Sequence, residues 1–164
     1  MSKTSNISSL KGAIDFLPKM KDGKDFMDKV TLLKEDVMHL ASWDKDKYVR
    51  VSLNKTPAYE LAVLFWEDGV VSAIHDHNQQ EGWVKVIDGK LSEDIYELKN
   101  NIPVVQKRIV ANKGELSHIN DSKGIHRMLN DSGARTISLH LYTKSFESIF
   151  LYDEQTGKKT EVFV

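Results

Sequence analysis

Cysteine is absent from the 164-residue chain. Its absence excludes disulfides, thiolate metal ligands and a cysteine nucleophile together. It also fits a reducing compartment, so a cytoplasmic location is expected. Proline is scarce, at three residues. No apolar run approaches the roughly 20 residues of a membrane helix. Met1 to Asn6 are polar, so no signal peptide is expected. Neither sign of charge dominates: 23 Lys and Arg stand against 24 Asp and Glu, for a net charge of −1. The lysines are scattered among acids, so no nucleic-acid surface and no membrane partner is expected. Repeats, low-complexity segments and linkers are also missing. A single domain, 1–164, and a monomer are the expected organisation.

What is present is a chain with 40% apolar and 29% charged residues, enough for one full core. Ser9 can cap a short helix carrying Leu10, Ile14 and Leu17 and ending at Pro18. From Asp25, Phe26, Val30, Leu33, Val37 and Leu40 recur at helical spacing and predict one amphipathic α-helix. His39 reads as an ordinary helix-end histidine. After Trp43-Asp44 the pattern changes to short β-branched and aromatic stretches separated by turn residues. These lie at 48–53, 59–66, 70–74, 82–87, 90–98, 104–110, 116–119, 125–129, 136–142, 148–152 and 160–164. Asp88-Gly89 is the strongest hairpin signal, and Gly157 marks the last turn. The fold class is mainly β: a closed or sandwich-like barrel over about 46–164, preceded by a helical part over about 1–45.

Ser72-Ala73-Ile74-His75-Asp76-His77 is the stretch around which the chain is organised. Side chains alternate along a strand, so His75 and His77 share a face, roughly 6.5–7 Å apart, and can converge on one metal ion. His126, about fifty residues later, can complete a three-nitrogen set. In the stretch 136–142, Ile137, Leu139 and Leu141 point one way and Ser138, His140 and Tyr142 the other. The second row is polar and needs partners inside a barrel.

Gly69-(x5)-His75-x-His77 resembles the first motif of the cupins, small double-sheet barrels of jelly-roll type that hold a metal inside. Gly114-(x11)-His126-(x3)-Asn130 resembles the second, one residue longer and with Asn120 near the usual proline. The general first motif also carries a glutamate ligand, which makes Glu81 a candidate. Counting back from Gly89 puts that position at Gly82, and a one-residue shift turns a side chain to the other face, so Glu81 is expected off the metal. A narrower likeness covers about Tyr48 to Thr160. His75-Asp76-His77, Lys85-Val-Ile-Asp-Gly-Lys-Leu91, Ile119-Asn-Asp-Ser-Lys-Gly-Ile-His-Arg127 and Ser138-Leu-His-Leu-Tyr142 resemble cysteine dioxygenase, a thiol dioxygenase within the cupins.

That resemblance implies Fe(2+) held by His75, His77 and His126, with L-cysteine and O2 as substrates and cysteine sulfinate as product. It implies that Arg50 holds the substrate carboxylate, with Tyr142 also in the site and His140 and Ser138 behind it. Trp66 matches the family pattern too and reads as a core aromatic. Many animal members form a thioether between the tyrosine and a cysteine; that position is Gly82 here, so Tyr142 must be placed by His140. Thr143-Lys144 replaces the usual Ser-Pro. A dioxygenase for 3-mercaptopropionate is the nearest alternative, and Arg50 speaks against it, since members specific for that thiol usually lack the arginine. A metal-binding cupin without turnover and a zinc or manganese cupin isomerase or hydrolase are further alternatives. His118 is expected near the surface or in a hairpin, and Asp76 is expected to bond the backbone of Asn120-Asp121.

Overall fold

The structure is a computed structural model that describes residues 5–164. Three short helices come first: α1 (Leu10–Phe16), α2 (Gly23–Lys29) and α3 (Lys34–Val37). Ser9 accepts from Gly12 N–H and caps α1 as expected, and Asp22 accepts from Asp25 N–H to cap α2. The single helix expected from Asp25 onward is not formed. Val30 instead pairs with Ile7 in a parallel bridge, and Lys85 donates its ammonium to the carbonyls of Met27 (2.9 Å) and Val30 (2.6 Å). A lysine on the last carbonyls terminates a helix well. The apolar stripe is retained because two short segments present it as readily as one, except at Leu33, which is 56% exposed. His39 lies in a 3-10 turn, Met38–Leu40, at the end of this region. No helix among the described residues is long and apolar enough to cross a membrane.

Eleven strands follow: β1 (Val49–Thr56), β2 (Tyr59–Trp66), β3 (Ile74–His75), β4 (Glu81–Asp88), β5 (Lys90–Lys99), β6 (Ile102–Asn112), β7 (Leu116–Ile119), β8 (Ile125–Leu129), β9 (Thr136–Thr143), β10 (Ser148–Tyr152) and β11 (Lys159–Phe163). They form two sheets, a five-stranded one in the order β1-β2-β9-β4-β7 and a six-stranded one in the order β11-β10-β3-β8-β5-β6. The expected double-sheet β architecture is therefore present. The strand expected at 70–74 shrinks to Ile74–His75. Ser72 takes the Met128 N–H on its hydroxyl (2.9 Å), and Val71 makes only an isolated bridge to Leu129. A side chain has replaced part of the backbone ladder there.

Burial explains the sequence pattern of the five-stranded sheet. Leu61, Val63 and Phe65 of β2 and Ile137, Leu139 and Leu141 of β9 pack in one cluster with Ala13, Leu17, Phe26 and Met27 of the helical region. The helices thus cover the outer face of this sheet. The opposite rows face between the sheets, where Ala62, Leu64, Trp66, Val84, Leu91 and Met128 form a second cluster. That inner space is where the polar row Ser138, His140 and Tyr142 points.

Candidate metal centre and its polar surround

His75 ends β3 and stands directly opposite His126 on β8; His77 follows two residues on, just past the strand. Their ring nitrogens lie within 4.8 Å of one another, and His77 and His126 are buried. This group of three can hold a metal ion. The hydrogen bonds behind the rings test the fit. His75 Nδ1–H donates to the carbonyl of Ala73 at 2.8 Å, and His126 Nδ1–H donates to Oε1 of Glu93 at 2.7 Å. Each Nε2 is then a bare lone pair, and the two Nε2 atoms are 3.0 Å apart. Two lone pairs facing each other at that distance call for a cation between them, so the donor set fits a metal. Neutral imidazole serves iron, zinc, copper and nickel alike, so the donors do not choose the metal.

Burial holds all three imidazoles below the ordinary histidine range. The depression is deepest in His77 and His126, where neighbouring rings add to it. Neutral rings are the form that ligates. Burial likewise raises the Glu93 carboxyl, against the opposing effect of the Ser117 hydroxyl, which donates to Oε2 at 2.8 Å.

The backbone around the rings is pinned from the loop 120–124. Asp121 accepts the N–H of His77 (2.8 Å) on one oxygen and that of Gln79 (2.5 Å) on the other. The bond expected from Asp76 to the backbone of Asn120-Asp121 is thus reversed. Asp76 itself faces away, accepting from Asn78 N–H, Phe150 N–H and the Tyr152 hydroxyl. Gly124, at φ 109°, closes the loop; a Cβ there would lie 2.5 Å from the carbonyl oxygen of Tyr96. Only glycine lets β8 begin so close to β5.

On the facing sheet Ser138, His140 and Tyr142 form a chain. Trp66 Nε1 lies 2.9 Å from Ser138 Oγ, Ser138 Oγ 2.7 Å from His140 Nε2, and His140 Nδ1 3.1 Å from the Tyr142 hydroxyl. Trp66, expected as a core aromatic, is buried and donates its indole N–H to Ser138 Oγ, because indole can only donate. Where Ser138 passes its own proton to Nε2, Nδ1–H donates to the tyrosine oxygen and the Tyr142 hydroxyl proton is left free. Burial pushes the Tyr142 phenol up and His140 well down, so the phenol keeps its proton and the imidazole is neutral. Thr143 still belongs to β9, and the turn begins at Lys144, which adopts φ 59°. The Thr143-Lys144 departure therefore leaves Tyr142 inside a paired strand.

His75, His77, Tyr48, Ser72 and Tyr142 line two adjoining pockets with about 30 and 70 Å³ of free space, and His126 lines the first. That admits a molecule of a few heavy atoms and excludes a peptide. His140 lines the first and Arg50 the second. Arg50 stands over the Tyr142 ring, 5.4 Å from its centroid, and pairs with Glu60 at 2.8 Å. Glu81 lies outside this set: it is half exposed, with its Oε1 3.7 Å from His118 Nε2. His118, expected near the surface or in a hairpin, is partly exposed on β7, stacked 4.9 Å from Trp83 and held by Lys123. Sequence reasoning brought together His75, His77, His126, Arg50, Ser138, His140 and Tyr142; it missed Glu93, Glu60 and the donor role of Trp66.

Residues 24–155 match the family model described as cysteine dioxygenase type I. The chain is 32% identical over 127 residues to Cysteine dioxygenase type 1 of Homo sapiens, covering 74% of this chain and 64% of that protein. It is 28% identical over 150 residues to Cysteine dioxygenase type 1 of Danio rerio, covering 87% and 74% of the two. The chain thus spans just under two thirds of the length of the human relative. Among solved structures, a cupin superfamily protein from Desulfitobacterium hafniense superposes with a TM-score of 0.51 at 9% identity, covering 65% of this chain and 86% of that one. This likeness shows the cupin β fold.

Proposed function

The chain belongs to the cysteine dioxygenase type I family, and from that premise we propose that it is an Fe(2+)-dependent dioxygenase that adds both atoms of O2 to the sulfur of L-cysteine, giving cysteine sulfinate. The observation that carries this reading is that Arg50 and Tyr142 share a small pocket with His75 and His77, and that Tyr142 and both of these histidines also line the adjoining pocket that holds His126. A thiol carrying a carboxylate a few bonds away needs both ends.

His75, His77 and His126 would hold the iron, which when bound supplies the positions where a thiolate and dioxygen can meet. Arg50 offers the free edge of a planar guanidinium to the substrate carboxylate. Tyr142 donates its free hydroxyl proton into the same cavity, toward the carboxylate. His140, held neutral by burial and in one tautomer by a proton from Ser138, keeps that proton pointing inward. Glu93 keeps the His126 lone pair on the metal side. The apolar walls, Leu64, Val84, Ile119 and Met128, exclude water from the reacting sulfur.

The deciding experiment is oxygen uptake by anaerobically iron-loaded protein given L-cysteine or 3-mercaptopropionate, with products weighed by mass spectrometry. Uptake with cysteine and two added oxygens in the product is the expected result. Uptake with mercaptopropionate alone would remove Arg50 as the specificity residue. No uptake with either would reject the dioxygenase reading.

A further inference from the structure

We propose that Glu60 is a positioning residue for Arg50 and thereby sets how well the site takes a carboxylate; this rests on the reading that Arg50 holds the carboxylate of the substrate. On β2, Glu60, Ala62, Leu64 and Trp66 form the row that faces between the sheets, and Glu60 pairs directly with Tyr142 on β9. Glu60 is 3% exposed. A carboxylate in that position is costly unless it is paired, and its only ion-pair partner among the described residues is Arg50.

The strand register says why Arg50 needs such a partner. Its backbone stands opposite Leu64, four residues along β2 from Glu60, a distance of about 13 Å in strand rise. The arginine arm must therefore run along the sheet to reach the Tyr142 ring. Glu60 is the anion at the end of that run, and its 2.8 Å contact to Nη2 leaves Nε and Nη1 for a ligand. Without Glu60 the side chain is drawn toward open water at the cavity mouth, where it is already 29% exposed.

The test is anaerobic calorimetric titration of the iron-loaded protein with L-cysteine and with cysteamine, which has the same thiol and amine but no carboxylate. The parent protein, Glu60→Ala, Arg50→Ala and the double variant form a cycle. Glu60→Ala should weaken L-cysteine binding about tenfold in the parent, and by nothing further in Arg50→Ala; cysteamine binding should not change. Equal losses in both backgrounds, an equal loss for cysteamine, or L-cysteine binding that is unchanged or tightened would overturn the proposal, as would a parent protein that does not bind L-cysteine. Should Glu60→Ala not fold, Glu60→Gln keeps the shape, gives up the charge and carries the same cycle with the same non-additivity. Oxygen uptake measured beside the titration separates the two readings. The expected binding pattern without oxygen consumption rejects the dioxygenase and leaves the role of Glu60 standing.

Discussion

Gly82 on β4 is paired directly with Tyr142 on β9, and a Cβ at position 82 would lie 3.2 Å from both Cδ1 and Cε1 of the tyrosine ring. The resemblance puts at this position the cysteine that bonds the tyrosine in many animal members of the family. Glycine leaves the ring untethered, and its place depends on His140 and on packing against Phe146, 4.7 Å away between ring centroids.

Gly82→Ala should push that ring by a few tenths of an ångström. Displacements of this kind matter when a donor must meet a small substrate. Steady-state oxygen uptake should show kcat/KM for L-cysteine falling about three- to tenfold, with iron content unchanged. Full activity in this variant would mean that the ring has room to give and that its placement is not fixed by this contact.

Ser138→Ala cuts the chain between Trp66 and His140. It strands a buried indole N–H, at a cost of about 1–3 kcal/mol. Urea unfolding should show that loss, and the double variant Trp66→Phe/Ser138→Ala should recover part of it, because donor and acceptor then leave together. Turnover should fall about tenfold in both, since His140 loses the partner that fixes its tautomer. If the double variant were no more stable than Ser138→Ala, the indole bond would not be the stabilising contact.

Glu93→Ala should weaken metal binding by about 10- to 100-fold, the usual effect of removing a carboxylate behind a histidine ligand. Competition with a chelator at neutral pH measures it. Glu93→Gln should lose less, because an amide oxygen still accepts from Nδ1–H. Unaltered affinity in both would separate Glu93 from the metal centre.

The three histidines were legible because period-two alternation and one resembling motif fix both their face and their partner. Glu93 was not, although a signal existed. Leu91, Glu93 and Ile95 share a strand face, and an acid between two apolar residues is out of place unless something inside needs it. Glu60, ahead of Ala62, Leu64 and Trp66, carries the same signal. Both depend on which face of the strand turns inward, and that is set by neighbours across the sheet. The break at Val30 was hidden for a similar reason. It is made by Ile7 and by Lys85, which is 55 residues away along the chain. The swap of roles between Asp76 and Asp121 follows from alternation itself: with both histidine rings turned inward, the residue between them must face out.

Metal-free protein should lose stability as pH falls below about 6.5, the ordinary histidine value. His75, His77, His126 and His140 are all lowered in the folded state, chiefly by burial. In the unfolded chain they titrate normally, so below about pH 6.5 the unfolded state binds more protons and is favoured. Their stabilisation is complete above that value and is lost through the window down to the depressed folded values. Each contributes a slope of about 1.4 kcal/mol per pH unit within it. Glu93 works the other way: burial raises its carboxyl, the folded state binds the extra proton, and its contribution falls as pH rises out of the carboxylate range. The net slope is therefore below that of four histidines. Urea midpoints measured from pH 5 to 8 should be flat at the upper end and fall at the lower, and His140→Phe should reduce the slope by one proton. A midpoint independent of pH across that range would mean that these rings are not held neutral by burial.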